Sequence, residues 1–410
     1  VRFQARTSRT LASLISLASA LAALYAMEAF LLVASPRWTD KLGTTLRAGP
    51  SVIGETHRLR QRGIQAYPFL QSDLFTYPPA RGLGIASGDT VAPLSGIASE
   101  LTVLCNESGT TIGYRADSLG FRNSNSRWRS APRAALIGDS FTHGFCRSEN
   151  ETIDARLTSF GIQSVNAGMT GAGPLTELGI LKEYLGALRP LVVYWLFYEG
   201  NDLLDLESER RTLVTRYLDT GYSQRLRERR TIVSAAMKRW GDSTVAAYHP
   251  PGAASKARGF ITLRKLRTAT GLYRGPAQPE QRDETASLDL LEQVLRVARD
   301  ETKSWNGELR LVYLPERRRF NKSTRPVKGE NHDPFAVQRA VSGIAERLRI
   351  PMVDAGKAFA ATRDPRALWN NRRYHYNPAG YRVVADAIAA DLARPTIAGD
   401  TASTTTRAVR

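Results

Sequence analysis

The sequence predicts an α/β protein of three layers, a parallel sheet of flavodoxin-like winding between helices, preceded by one transmembrane helix. Three observations carry this reading. From residue 134 onward, short apolar runs alternate with longer amphipathic stretches; the first three runs end in polar turns; and one long apolar segment sits near the amino terminus. Strands alternating with helices demand crossover connections and a parallel sheet covered on both faces. The right-handed crossover rule then gives the winding. A chain of 410 residues, 42% hydrophobic and 23% charged, has the length and apolar content for a large core, which excludes wholesale disorder.

The elements follow in order. Leu11 to Val33 is apolar on every face, interrupted only by small polar residues and Glu28, and it follows Arg2, Arg6 and Arg9. Its length spans a bilayer core, and the preceding arginines favour a cytoplasmic amino terminus with the rest of the chain exported. A cleaved signal peptide is the competing reading, because Ala18-Ser19-Ala20 has the small residues of a cleavage site. Residues 34–95 read as a tether and irregular lead-in, rich in Pro, Gly, Thr and Ser. Short strands are expected at Leu101–Cys105 and near 111–114, ahead of Gly120-Phe121-Arg122.

Ala134–Ile137 reads as a buried strand entering a tight turn. A helix near 150–160, a strand at 164–166, a helix over 174–188 ending at Arg189-Pro190, and a strongly apolar strand at 191–198 come next. An amphipathic helix over 287–305, a strand at 309–314, a helix at 335–348, a strand at 350–353 and a helix over 378–392 complete the pattern. The expected organisation is therefore 1–10 cytoplasmic, 11–33 anchor, 34–95 lead-in, 96–395 main domain with a basic insertion at 205–285, and 396–410 a disordered tail.

The net charge of +18 is concentrated. Residues 210–274 hold fifteen Lys/Arg against Asp219, Glu228 and Asp242, a local balance of +12. Stacking aromatics do not interleave with these cations and no nucleic-acid module is recognisable, so no nucleic-acid partner is expected. An anionic lipid surface, an acidic polysaccharide, or simple solvation of a helical surface remain as readings. The two cysteines, Cys105 and Cys146, form neither a CxxC nor a Cys/His cluster. In an oxidising compartment they could pair. His57, His249 and His332 lack partners at metal spacing, so no metal and no cofactor is expected.

Ligands of open α/β sheets bind beyond the carboxyl ends of the strands. Four polar blocks are expected there: Gly138-Asp-Ser-Phe-Thr-His-Gly144, Asn166-Ala-Gly-Met-Thr-Gly171-Ala-Gly173, Glu199-Gly-Asn201-Asp202, and Tyr374-His375-Tyr-Asn-Pro-Ala-Gly380-Tyr381. Singly each is weak. In this order, each at a predicted strand edge or helix start, they are specific.

The series resembles the SGNH (GDSL-type) hydrolase superfamily over roughly residues 130–395, and with Gly120-Phe121-Arg122 upstream it looks most like membrane-bound bacterial proteins of the cell envelope. The resemblance implies the SGNH hydrolase fold, with Ser140 as nucleophile and His375 as its base. It also implies an oxyanion hole from the backbone N–H groups of Ser140 and Gly171 and the side-chain amide of Asn201. The family places an aspartate two or three residues before the histidine, where this chain has Arg373 and Arg372. A Ser–His dyad, an acid from elsewhere such as Asp364 or Asp354, or a degenerate site are the alternatives.

His143 reads as a cap or surface residue, Asp139 as an acceptor for the turn, and Trp195, Phe197 and Tyr198 as strand core. Glu199 reads as either a pocket carboxylate or a cap. A Cys105–Cys146 bridge would tie the strand-rich lead-in to the nucleophile helix. The implied activity is that of an esterase or O-acyltransferase acting on acyl, especially acetyl, esters of envelope or exported polysaccharide. A non-catalytic envelope scaffold and a lipid-directed esterase, its residues 210–274 against anionic headgroups, are the alternatives.

Overall fold

The computed structural model describes residues 2–33, 52–76, 82–105, 111–250, 252–269, 284–320, 333–370 and 375–393. Arg372, Arg373, the predicted tail at 396–410 and, within the predicted tether and lead-in, residues 34–51 and 77–81 lie outside the described residues. The chain divides into two compact units: Val1–Leu70, Ser99–Arg115 and Ser234–Asp283 form the first, and Gln71–Ala98, Ala116–Val233 and Glu284–Arg410 the second.

In the second unit, five strands form one sheet: β1 (Ala134–Gly138), β2 (Ser164–Asn166), β3 (Val192–Tyr198), β4 (Glu308–Leu314) and β5 (Met352–Asp354). Their spatial order is β5-β4-β3-β1-β2, and every neighbouring pair is parallel. Read from the other edge this is 2-1-3-4-5, the predicted winding. The helices that cover the sheet or carry the site include α1 (Ser140–His143), α2 (Ile153–Ser159), α3 (Pro174–Ile180), α4 (Asp202–Glu209), α5 (Glu284–Ser304), α6 (Ala336–Arg347), α7 (Ala355–Ala360) and α8 (Pro378–Leu392). Helices α2, α7 and α8 pack together as one covering layer, and α3, α4 and α5 as the other.

The sheet is double-faced because its middle strand, β3, is apolar at every position. Val192, Tyr194, Leu196 and Tyr198 join the core cluster with α2, α7 and α8. The alternate set, Val193, Trp195 and Phe197, is fully buried on the other side. Trp195, Phe197 and Tyr198 are thus strand core, as the sequence predicts. Burying each such side chain contributes about 1.5–3 kcal/mol.

The predicted helix over 174–188 is present but broken. Helix α3 gives way to a π-helical turn at Leu181–Leu185, resumes at Gly186–Leu188, and ends on Arg189 in the left-handed region (φ 54°), just before Pro190.

The first unit contains a three-stranded sheet of Tyr67–Pro68, Leu101–Cys105 and Ile112–Arg115, with the middle strand parallel to the first and antiparallel to the last. The lead-in is therefore not irregular throughout. It carries the helix Val52–Gln61 and one strand of this sheet. The strands at 101–105 and 112–115, expected at the start of the main domain, pair with the lead-in instead. The basic insertion is likewise shared, its residues from 234 onward falling in the first unit. The amino-terminal helix runs Arg2–Val33, and its stretch Ala12–Leu31 is long and apolar enough to cross a membrane. Both cysteines, Cys105 and Cys146, are disulfide-bonded.

Candidate active site

The nucleophile candidate sits where β1 turns into α1. Asp139 is the helix cap, its Oδ1 accepting the Phe141 N–H at 2.9 Å, and Ser140 opens the helix. The turn is tight enough to require glycine before it: a Cβ on Gly138 would lie 2.2 Å from Thr142 Oγ1 and 2.9 Å from the Leu196 carbonyl oxygen. The far end of α1 closes on Gly144 in the left-handed region (φ 72°). Arg122 fastens that end, donating from Nη1 to the Gly144 carbonyl (2.9 Å) and from Nη2 to the Arg147 carbonyl (2.7 Å). This gives the upstream Gly-Phe-Arg block its physical role, as a buttress at the end of α1.

His375 reaches this helix from the other side of the chain. Its Nε2 stands 2.9 Å from Ser140 Oγ. The loop that carries it is pinned by the bridge between Trp369 and Tyr376, by the Asn370 N–H on the His375 carbonyl, and by the Tyr376 hydroxyl on the Pro315 carbonyl (2.8 Å). Asn377 then caps α8 through the Ala379 and Gly380 N–H groups. A Cβ on Gly380 would lie 2.4 Å from the Leu368 carbonyl oxygen, so the last block needs its glycine for close approach. The imidazole stands beside Phe141 and Phe145, with ring centroids 5.1 and 5.0 Å away.

The glycine loop after β2 is packed beneath α1. Asn166 donates to the Thr142 carbonyl and to Asp154 Oδ1, both at 2.8 Å. A Cβ on Gly168 would lie 2.4 Å from the His143 nitrogen. Gly171 has φ 78°, and a Cβ there would lie 3.2 Å from Asp73 Oδ1. His143 is buried, not at the surface, with Nδ1 2.9 Å from Thr170 Oγ1. Burial and the nearby Arg122 charge hold it down to about 3, so its imidazole is neutral at physiological pH. It ties α1 to the glycine loop.

Asn201 behaves less simply than the sequence implies. Its Nδ2 donates to Asp205 Oδ2 at 2.7 Å and to Asp139 Oδ2 at 3.3 Å. Both neighbours are carboxylates, which fixes the nitrogen as the atom facing them. Its Oδ1 is buried with no hydrogen-bond partner among the described residues. Asp139 Oδ2 also accepts from Ser140 Oγ (3.2 Å), so this one oxygen bridges Ser140 and Asn201. Both amide hydrogens are thus engaged in this structure. The bond to Asp139 is the longer of the two.

Behind these groups lies a buried set of carboxyls: Asp139, Glu177, Asp202 and Glu209, with Asp205 beside them. Burial raises Asp139 to about 6 and Glu209 to about 7. Burial first, then the neighbouring carboxylates, push Glu177 and Asp202 well above the carboxylate range. Glu209 is the best satisfied. Its Oε1 accepts the Gly173 N–H (2.8 Å) and the Thr176 hydroxyl, and its Oε2 accepts the Leu175 (2.8 Å) and Thr176 (3.3 Å) N–H groups. This carboxyl caps α3 from the last residue of α4, joining the glycine block to the asparagine block.

Glu199 is neither a pocket carboxylate nor a cap. It is buried against Arg319 in an ion pair and also accepts from the Tyr313 hydroxyl (2.6 Å) and the Glu316 N–H. Asp354 caps α7 through the Gly356 N–H and accepts from Gln338 Nε2, while exposed Asp364 caps the turn Pro365–Leu368. Among the described residues no group of three His, Cys, Asp or Glu side chains is placed to hold a metal ion. The structure therefore brings Ser140, His375, Asn201 and Asp139 together, and it engages both Asp354 and Asp364 in local caps. Sequence reading missed Asp205, Glu209, Asp73 and Phe145. Asp205, one turn after Asn201, carried a readable i,i+4 signal; the other three did not.

No family model and no curated protein matches this chain. Among solved structures, an acetylxylan esterase from Geobacillus stearothermophilus aligns at 19% identity and TM-score 0.35, covering 66% of this chain and 97% of that one. A protein assigned to the G-D-S-L lipolytic family from Desulfitobacterium hafniense aligns at 13% and 0.34, covering 63% and 97%. An α/β hydrolase from a Lake Arreo metagenome aligns at 16% and 0.35, covering 65% and 97%.

Proposed function

We propose that this chain is a membrane-anchored, extracytoplasmic serine esterase or O-acyltransferase of the SGNH type, acting through an acyl-enzyme. The observation that carries the reading is His375 Nε2 at 2.9 Å from Ser140 Oγ, at the helix start that follows the first strand of a parallel sheet. His375 takes the Ser140 proton as Oγ attacks the ester carbonyl carbon, and returns it to the leaving alkoxide as the C–O bond breaks. The oxyanion is met by backbone N–H groups of Ser140 and Gly171 and by the Asn201 amide, released from Asp139. Water or a sugar hydroxyl then attacks the acyl-enzyme, with His375 again as base, giving hydrolysis or transfer.

Asp354 and Asp364 already hold local caps, and Phe141 and Phe145 flank the imidazole. Location outside the cytoplasm is supported by the apolar helix behind three arginines and by the disulfide state of both cysteines. An acyl ester of envelope or exported polysaccharide, acetyl above all, is the substrate class that compartment and chemistry favour. The test is phenolate release from an aryl acetate by the detergent-solubilised chain. Ser140→Ala should abolish it, and equal rates for wild type and variant would refute the enzymatic reading.

A further inference from the structure

The amino-terminal helix is bare along most of its apolar stretch, with Leu14, Ile15, Leu17 and Leu21 each about half exposed, but it is covered near one end. There two short helices, Ala253–Ile261 and Arg264–Ala269, pack against it within the first unit. Tyr25 donates its hydroxyl to the Ile261 carbonyl (3.0 Å), and its ring stands 5.4 Å from that of Phe260. Glu28, 1% exposed, accepts the Leu266 N–H at 2.7 Å. The carboxylate inside the apolar stretch is therefore met by backbone from this hairpin.

The position of these contacts sets a depth. Ala12–Leu31 is 20 residues, about 30 Å of helix and one hydrocarbon thickness. Tyr25 and Glu28 fall within about 9 Å of its outer end, the layer where headgroups meet acyl chains. The hairpin holding them carries five cations, Lys256, Arg258, Arg264, Lys265 and Arg267, and no acid between 252 and 269. Arg258, Arg264 and Arg267 are exposed, and so is Ile261, at 65%. An exposed isoleucine among cations, at interfacial depth on a spanning helix, matches a surface of acyl chains topped by phosphates.

We infer that residues 253–269 form a lipid-docking hairpin, seating Ile261 at the acyl boundary and its cations on anionic phospholipid headgroups where the span leaves the bilayer. The inference rests on the anchor reading above. It narrows the basic segment at 210–274 to the part bonded to the helix.

The test uses the full chain carrying Ile261→Cys labelled with an environment-sensitive fluorophore, the native cysteines being oxidised. It is reconstituted into phosphatidylcholine vesicles with and without phosphatidylglycerol, and quenching by a headgroup-level nitroxide lipid is read. Quenching should be about twofold stronger with phosphatidylglycerol. That gain should disappear at about 1 M salt, where screening reaches about 3 Å, and in Arg258→Glu/Arg264→Glu. Equal quenching in both vesicles, or a gain indifferent to salt, would overturn the inference, as would protection by soluble polygalacturonate but not by phosphatidylglycerol. The salt series on the unaltered charges decides if the double variant fails to fold. Flotation after alkaline wash keeps the two readings apart: a chain that does not float refutes the anchor and the hairpin's role with it, whereas a floating chain with unresponsive quenching refutes only the hairpin.

Discussion

Glu209→Gln tests the link between the glycine block and the asparagine block. The substitution keeps the shape of the side chain but turns one of its two oxygens into an NH2 donor. If that nitrogen takes the Oε2 side, the Leu175 and Thr176 N–H groups both lose their acceptor. If it takes the Oε1 side, the Thr176 hydroxyl can rotate to accept, and only the Gly173 N–H is stranded. The second arrangement is cheaper, and one buried unmade hydrogen bond costs about 1–3 kcal/mol.

The wild-type carboxyl also titrates. Burial raises it from 4.5 to about 7 in the folded chain, so the folded state holds its proton to higher pH than the unfolded state does. The stability it supplies is complete below the unfolded value and is lost as pH rises through the folded one, by about 3 kcal/mol. The amide does not titrate. The stability deficit of Glu209→Gln should therefore be largest near about pH 5 and narrow steadily by about pH 8, where the two chains become equal or cross. Urea denaturation of the solubilised chain, followed by tryptophan fluorescence across that range, measures it. A variant indistinguishable from wild type at the acid end, or a deficit that widens with pH, would refute the reasoning.

On the proposed mechanism, in which the amide acts on the charge that develops at the oxyanion, Asn201→Ala should lower kcat on an aryl acetate by about 10²–10³ with little change in KM; an effect confined to KM would place Asn201 in ground-state binding instead. Glu199→Ala strands the Arg319 guanidinium, whose side chain is only 4% exposed, and should destabilise the chain by about 3–5 kcal/mol. Denaturation of Glu199→Ala against the double variant Glu199→Ala/Arg319→Met checks this, since removing both charges should recover most of the loss.

What the sequence discloses divides along physical lines. Strand β3 is legible because every residue is apolar, and its burial on both faces follows from that alone. The turn before Ser140 and the helix start after His375 are legible because Gly138 and Gly380 stand where backbone or a neighbouring side chain leaves no room for a Cβ, a local constraint that marks the sequence. Glu209 is not legible: its partners lie 33 to 36 residues upstream, and nothing near it in the chain records them. The strand Leu101–Cys105 shows the same limit. Its apolar run announces a strand, but its parallel partner at Tyr67–Pro68 is a two-residue strand with no pattern of its own. Asn201 falls between these cases, since its block marks the residue while its two carboxylate partners fix which atoms are engaged.

The interleaving of the two units bears on how the protein is made. The chain passes from one unit to the other after residues 70, 98, 115, 233 and 283. A ribosome delivering it from the amino end thus releases the lead-in helix and all three strands of the small sheet long before residues 234–269, which complete that unit. The sheet-bearing unit waits longer still, because β4, β5 and the histidine loop all follow residue 283. During synthesis the partly built units expose strand edges and apolar faces together. A chain with this order of parts gains from a holding chaperone while it is being made, and cutting it at a single point frees neither unit whole.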